Sequence, residues 1–301
     1  MSTIPEVAEY ISVTRVVQIT RICQLAPYVV MFYDHVLTFD QEVEHIWKSS
    51  RSLNTAVFVI LRYSGSAVAL LSVFAFLAQA HASNDLCRVF LLLQGWPICF
   101  ITWLVQLILQ MRLYVLYNNS KKILYLTGGA YIAEIVAMST IVVIANVSTD
   151  AVNEPAPGLF ICTNLNTPKI FYSFWLAPLV FELILCLLAI RIGIQRSKDH
   201  LGPALISGTR LVNVIVMGNV MYFVGVLLSC IVGAAMLKNL SSQWLEVPGG
   251  FALAVEVIAG CRLILHIRGA ACEGLYNTTI TSTRVGVQLQ HSLPKSDLDE
   301  A

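Results

Sequence analysis

The sequence predicts an all-α fold: an integral membrane bundle of seven transmembrane helices, N-terminus outside and C-terminus cytoplasmic. Three observations predict it. Seven apolar stretches, near residues 16–36, 54–78, 89–116, 123–146, 170–192, 211–236 and 245–266, approach the roughly 20 apolar residues that carry a helix across hydrocarbon. The composition, 57% hydrophobic and 12% charged, is far from the roughly 25% charged residues of a soluble domain. Basic residues, finally, concentrate on alternate connections, and that asymmetry orients the bundle.

The chain opens with Glu6 and Glu9 where a signal peptide would be basic, so the first apolar run is expected to be retained. Residues 1–15 then form an extracellular segment, residues 16–268 the helical domain and residues 269–301 a largely disordered cytoplasmic tail. Helix one is the weakest of the seven, interrupted by Arg21 and Pro27; Arg21 is close enough to the outer side to snorkel. In the next connection Phe39, Val43, Ile46 and Trp47 recur at helical spacing, opposite Asp40, Glu44 and Lys48. That pattern reads as a short amphipathic helix on the inner surface, with Trp47 at headgroup depth. Pro97 and Pro178 interrupt spans three and five, and no internal repeat of the transporter kind is evident.

One set of connections holds Lys48, Arg51, Arg112, Lys121, Lys122, Arg191, Arg196, Lys198, Arg210, Arg262 and Arg268. The opposite set holds Arg15, Arg88, Lys169 and Lys238. The richer set is assigned to the cytoplasm, which requires an odd number of spans.

Of eight cysteines, Cys87 and Cys162 fall at or in outer connections, where disulfides form. A bridge between them would pin the long loop from Val147 to Lys169 over the bundle; two unrelated small apolar side chains are the alternative. Cys23, Cys99, Cys186, Cys230 and Cys261 fall within spans and read as packing residues. Cys272 follows helix seven in a Gly/Ala segment, where it is either an S-palmitoylation site or an unmodified thiol. The sequons at Asn146, Asn239 and Asn277 are expected to be unglycosylated, two lying against the membrane and one inside.

The run from Tyr33 through Asp34, His35, Leu37, Thr38, Asp40, Glu42, Val43, Glu44 and Ile46 to Trp47 is followed by Leu61, Arg62 and Tyr63. This stretch, about residues 10–65, resembles the opening domain of a large family of fungal, mainly basidiomycete, multi-pass membrane proteins classed as a domain of unknown function. Met111 to Tyr117 and Arg262 to Arg268 resemble what those proteins carry at the inner ends of helices three and seven. The resemblance implies an integral membrane protein and assigns no activity.

Charged residues within spans are costly and mark candidate sites. Glu134, Glu182 and Glu256 fall near the middles of their helices, and Arg62 lies roughly level with Glu182 and Glu256, so an Arg62 to Glu pair is expected to be within reach. The cluster is either the lining of a ligand cavity or proton route, or a set of buried groups fixing helix register. At the inner ends, Arg112, Tyr114, Arg262 and Arg268 are candidates for contact with a cytosolic partner. Arg112 with Tyr114 and Tyr117 occupies the place of the Arg-containing triplet of G-protein-coupled receptors. No acid precedes Arg112, however, helix six lacks proline, and helix seven has no Asn-Pro-x-x-Tyr and no lysine for a retinal Schiff base.

No zinc helix, nucleophile elbow or phosphate-cradling glycine loop appears, so neither an enzyme nor a cofactor or metal site is expected. A net charge of +1 offers no surface for nucleic acid. The expected partners are the lipid bilayer, an unknown small ligand and a cytosolic protein, with the plasma membrane preferred to internal membranes. A receptor-like or sensory protein is the first reading; a membrane scaffold or transporter-like protein is the alternative.

Overall fold

A chain in hydrocarbon must satisfy its backbone N–H and C=O groups internally, and almost every described segment is helical. The computed structural model describes residues 4–48, 53–78, 83–148, 151–152, 162–164, 169–199, 222–236 and 247–292. Its elements in order are α1 (Ile4–Leu37), α2 (Phe39–Glu42) running into a π turn (Val43–Trp47), α3 (Leu53–Ala78), α4 (Asn84–Leu116) and α5 (Lys121–Val147). Then come β1 (Ala151–Val152), β2 (Thr163–Asn164), a 3-10 turn (Lys169–Trp175), α6 (Leu176–Asp199), α7 (Tyr222–Met236) and α8 (Val247–Ser292).

Among the described residues five helical stretches are long and apolar enough to cross a membrane: Asn54–Phe74, Asn84–Leu116, Lys121–Val147, Tyr172–Gln195 and Val247–Gly269. Two shorter apolar helices, Leu25–Leu37 and Tyr222–Met236, fall in the remaining two apolar runs. The chain is therefore an α-helical, multi-pass membrane protein. Its outward faces are apolar, with Val29, Val36, Leu71, Phe74, Ile132, Leu187 and Leu228 all more than half exposed, as lipid contact requires. Hydroxyls on the spans are satisfied locally: Ser66, Ser72, Thr127 and Thr140 donate to the carbonyl four residues back.

α8 is the hub, packing against α1, α3 and α4, while α5 packs on α4 and α6. Small residues let α3 and α8 approach closely. A Cβ built on Gly65 would stand 2.5 Å from Val257 Cγ2, and one on Gly260 would stand 2.8 Å from Leu61 Cδ2. Gly65→Ala is therefore expected to lower the melting temperature of the purified protein, at a cost of about 1–3 kcal/mol for overpacking. An unchanged melting curve would show that the α3–α8 contact yields freely. Asn118 and Asn119, at φ 54° and 59°, make the turn between α4 and α5; asparagine tolerates the left-handed region better than most residues.

Cys87 and Cys162 form the expected disulfide, with Cα atoms 5.4 Å apart. It ties the first turn of α4 to the residue before β2, whose partner β1 pairs antiparallel, Ala151 opposite Asn164. Ser83 caps α4 by accepting from Leu86 N–H at 3.3 Å.

Several expectations change. Residues 4–15 belong to α1 and do not precede it. α8 continues as one helix through Ser292, where a disordered tail was expected from residue 269; no proline interrupts the helix between Pro248 and Pro294. The amphipathic helix after α1 is one turn of α-helix and one of π-helix, and it buries Glu42 as well as Ile46. Arg51, Arg210, Lys238 and Asn239 lie outside the described residues, as do the side chains of Arg21, Arg196, Lys198, Cys272 and Asn277.

Candidate functional site

Two polar assemblies interrupt the apolar interior. The first closes the end of the bundle where α1 meets α3 and α8. The inward face of α1 runs through Met31, Asp34 and Thr38 and continues into Glu42 and Ile46, all buried. Spacings of three and four residues put these side chains in one line. Arg62 reaches that line from α3. Its Nε stands 2.9 Å from Glu42 Oε2, close enough for an ion pair though not aligned as a hydrogen bond. One terminal nitrogen donates to Thr38 Oγ1 at 2.7 Å and to the His35 carbonyl at 2.8 Å. The other Glu42 oxygen accepts from Tyr63 Oη at 2.9 Å and Trp47 Nε1 at 3.0 Å. Both ion-pair partners are buried, at 3% and 0% side-chain exposure, so neither charge could stand there alone.

Two arginines of α8 bolt this clasp to the hub. Arg262 Nε donates to Asp34 Oδ1 at 2.6 Å, and Arg268 donates to the His45 carbonyl and Thr55 Oγ1, both at 2.7 Å. Arg262 is half exposed, so its pair stabilises far less than the Glu42–Arg62 pair. Arg62 therefore pairs with Glu42 and not with Glu182 or Glu256. The expectation judged axial level only; the face of α3 that bears Arg62 looks toward α1.

The second assembly is centred on α4. Thr102, Gln106 and Gln110 are all buried, at i, i+4 and i+8, a polar stripe about 12 Å long at 1.5 Å per residue. Each meets a different partner. Thr102 Oγ1 lies 3.1 and 2.9 Å from the two oxygens of Glu256 on α8; Gln106 Nε2 donates to Glu134 Oε1 on α5 at 2.8 Å; Gln110 Nε2 donates to Thr127 Oγ1 at 3.0 Å. Glu182 points in from α6, on the face that also buries Phe181 and Leu185. Among the described residues neither Glu182 oxygen has a hydrogen-bond partner, nor does Gln106 Oε1 or Glu134 Oε2. Glu134, Glu182 and Glu256 are each buried, at 4%, 2% and 6% exposure, and Arg62 is paired elsewhere, with Glu42. No ion pair reaches the three acids among the described residues, and no group of metal-ligating side chains is found there.

At the clasp end, a small recess between α3, α4 and α8 is lined by Asn54, Val57, Ile108, Met111, Arg112, Ile264, Ile267 and Arg268. One terminal nitrogen of Arg112 is buried without a partner. The inner-end candidates therefore divide: Arg112 and Arg268 share the recess, Arg262 serves the clasp, and Tyr114 is in neither set of contacts. Tyr117 donates to the Leu188 carbonyl at 2.8 Å, and burial, opposed by the Arg191 charge, raises its phenol above the ordinary value.

The sequence reading missed Glu42, Thr102, Gln106 and Gln110 as site residues. The signal for both groups was spacing: Asp34, Thr38 and Glu42 recur every four residues, as do the three α4 residues.

Comparison with curated proteins gave no match. Residues 22–67 match the profile of a family of unknown function, DUF6533; that segment runs from within α1 through Trp47 to the middle of α3, the stretch that supplies Asp34, Thr38, Glu42, Arg62 and Tyr63 to the clasp.

Proposed function

We propose that the chain is a seven-helix, receptor-like membrane protein, with its N-terminus outside, its C-terminus in the cytoplasm and its place in the plasma membrane. On this reading a fungal source follows from the resemblance alone, and the protein catalyses no reaction. Leu25–Leu37 and Tyr222–Met236 supply the first and sixth spans. Two features of α4 support the orientation: the Cys87 disulfide belongs on an oxidising side, and Arg112 lies 25 residues on, about 37 Å along a helix, where the basic connections gather.

The observation that carries the reading is the interior cluster. Glu182, buried and without a hydrogen-bond donor among the described residues, stands on α6 while Glu134 and Glu256 stand on α5 and α8, three helices that all pack on α4, and such an interior is where a small polar ligand would be sensed. The recess around Arg112 and Arg268 then presents a cationic surface to a cytosolic partner. Affinity capture of the tagged, full-length protein should recover a G-protein subunit, and Arg112→Ala should reduce that recovery at least tenfold. Equal recovery by the variant, or no recovery by either protein, would overturn the coupling.

Three acids that meet no countercharge among the described residues also favour a second reading, proton-coupled transport. Substrate flux in proteoliposomes that is lost in Glu182→Gln or Glu256→Gln would support that alternative.

A further inference from the structure

Three helices bring positive charge or polar donors to the recess at the clasp end of the bundle. α4 contributes Arg112, α8 contributes Arg268, and α3 contributes Asn54, which stands in the first turn of its helix. A first turn carries the positive end of the helix dipole and N–H groups with no partner inside the helix, an arrangement suited to an anion. No acidic residue occupies the first turn of α3, and none lines the recess among the described residues. We infer that the recess binds a phosphate group, with Arg112 as its principal ligand, Arg268 as a second positive charge and the Asn54 amide as a neutral donor.

Arg112 is the group that lacks an acceptor. One of its terminal nitrogens is buried with no hydrogen-bond partner, and no carboxylate pairs with its guanidinium among the described residues. Leaving such a charged donor unmade is costly, and an oxyanion in the recess, by drawing that guanidinium to itself, supplies the missing acceptor. Arg268 is placed differently. It donates to the His45 carbonyl and Thr55 Oγ1, both at 2.7 Å, contacts that fix its guanidinium at the recess wall. Val57, Ile108 and Ile264 wall much of the remainder, and apolar surroundings strengthen the attraction between a guanidinium and a phosphate. Size narrows the ligand further. The recess holds about 40 Å³, room for about three waters, which suits a phosphate and its oxygens but not the sugar and base of a nucleotide. Inorganic phosphate and the phosphate of a lipid headgroup share this chemistry.

A phosphate in this recess deepens the receptor reading and rests on its placement of the recess at the cytosolic surface, but the test involves no partner protein. The full-length protein in dodecyl maltoside, a detergent without phosphate, is titrated calorimetrically with inorganic phosphate at constant ionic strength. In a second arm phosphatidic acid is added to the micelles and native mass spectrometry counts the lipids retained. One phosphate per chain should bind: inorganic phosphate binding assigns the free ion, and phosphatidic acid retained where inorganic phosphate does not bind assigns the headgroup. Arg112→Gln should weaken that binding by about tenfold or more, the worth of one hydrogen bond to a charged group. Lys122→Gln, which removes a charge from an exposed position on α5, should not. Asn54→Asp should weaken it as well, and because an acid in the first turn favours the helix, that loss would not reflect unfolding. Failure of the wild type to bind either probe stoichiometrically would overturn the inference. So would binding that Arg112→Gln and Asn54→Asp leave unchanged, or that Lys122→Gln weakens equally. Phosphate binding without G-protein recovery sinks only the coupling, and recovery without phosphate binding sinks only the ligand.

Discussion

Arg62→Ala is expected to be among the most damaging single substitutions in the chain. It strips Glu42 of its ion-pair partner at 2.9 Å and leaves Thr38 and the His35 carbonyl without their donor. Removing one member of a buried pair costs about 3–5 kcal/mol, because the remaining charge stays buried and uncompensated. Arg62→Lys should recover little of the loss. An ammonium cannot imitate a planar fork that serves Glu42 through Nε, and the His35 carbonyl and Thr38 hydroxyl through a terminal nitrogen. Glu42→Ala should be comparably harmful, since it also orphans Tyr63 Oη and Trp47 Nε1. The double variant should fall well short of the sum, because residues of one network couple by about 0.5–3 kcal/mol. Thermal unfolding of the four proteins in one detergent measures the cycle, and strict additivity would mean that the two side chains do not act as a pair.

Loss of the Cys87–Cys162 bond should rank second. The bond closes a 75-residue separation, and the chain-entropy relation for a loop of that length gives about 4.5 kcal/mol. Cys87→Ser, Cys162→Ser and the double variant should therefore melt alike, each well below the wild type. Peptide mapping of protein from intact cells under non-reducing conditions should recover the two cysteines in one linked fragment. If they are recovered as separate free thiols, the bond and the orientation drawn from it both fall.

Thr38, Glu42, Arg62 and Tyr63 are joined through their side chains and Asp34 holds Arg262, so changing Arg62 or Glu42 strands a buried partner. Residues 22–67, which match the family profile, are those that build most of this unit. Its remaining anchors, Arg262 and Arg268, come from far along the chain.

Apolar runs long enough to span hydrocarbon were legible in the sequence because hydrophobicity and length are local properties, requiring no knowledge of what each helix touches. The same holds for the pairing of Cys87 with Cys162, since compartment logic singles out these two. Burial of Glu134, Glu182 and Glu256 was legible too, as each sits in the middle of an apolar run. The partner of Arg62 was not. Axial level follows from counting residues at 1.5 Å each, but the direction a side chain faces around the bundle depends on how α1, α3 and α8 pack, and small residues such as Gly65 and Gly260 set that packing. Glu42 was missed as a site residue for a related reason: in sequence it lies among surface charges, and only the turn of α2 carries it inside. Membrane residence and the positions of the spans thus belong to local sequence. Which polar groups meet, Glu42 with Arg62 and Gln106 with Glu134, belongs to packing, because contacts between helices depend on rotations that no single helix specifies.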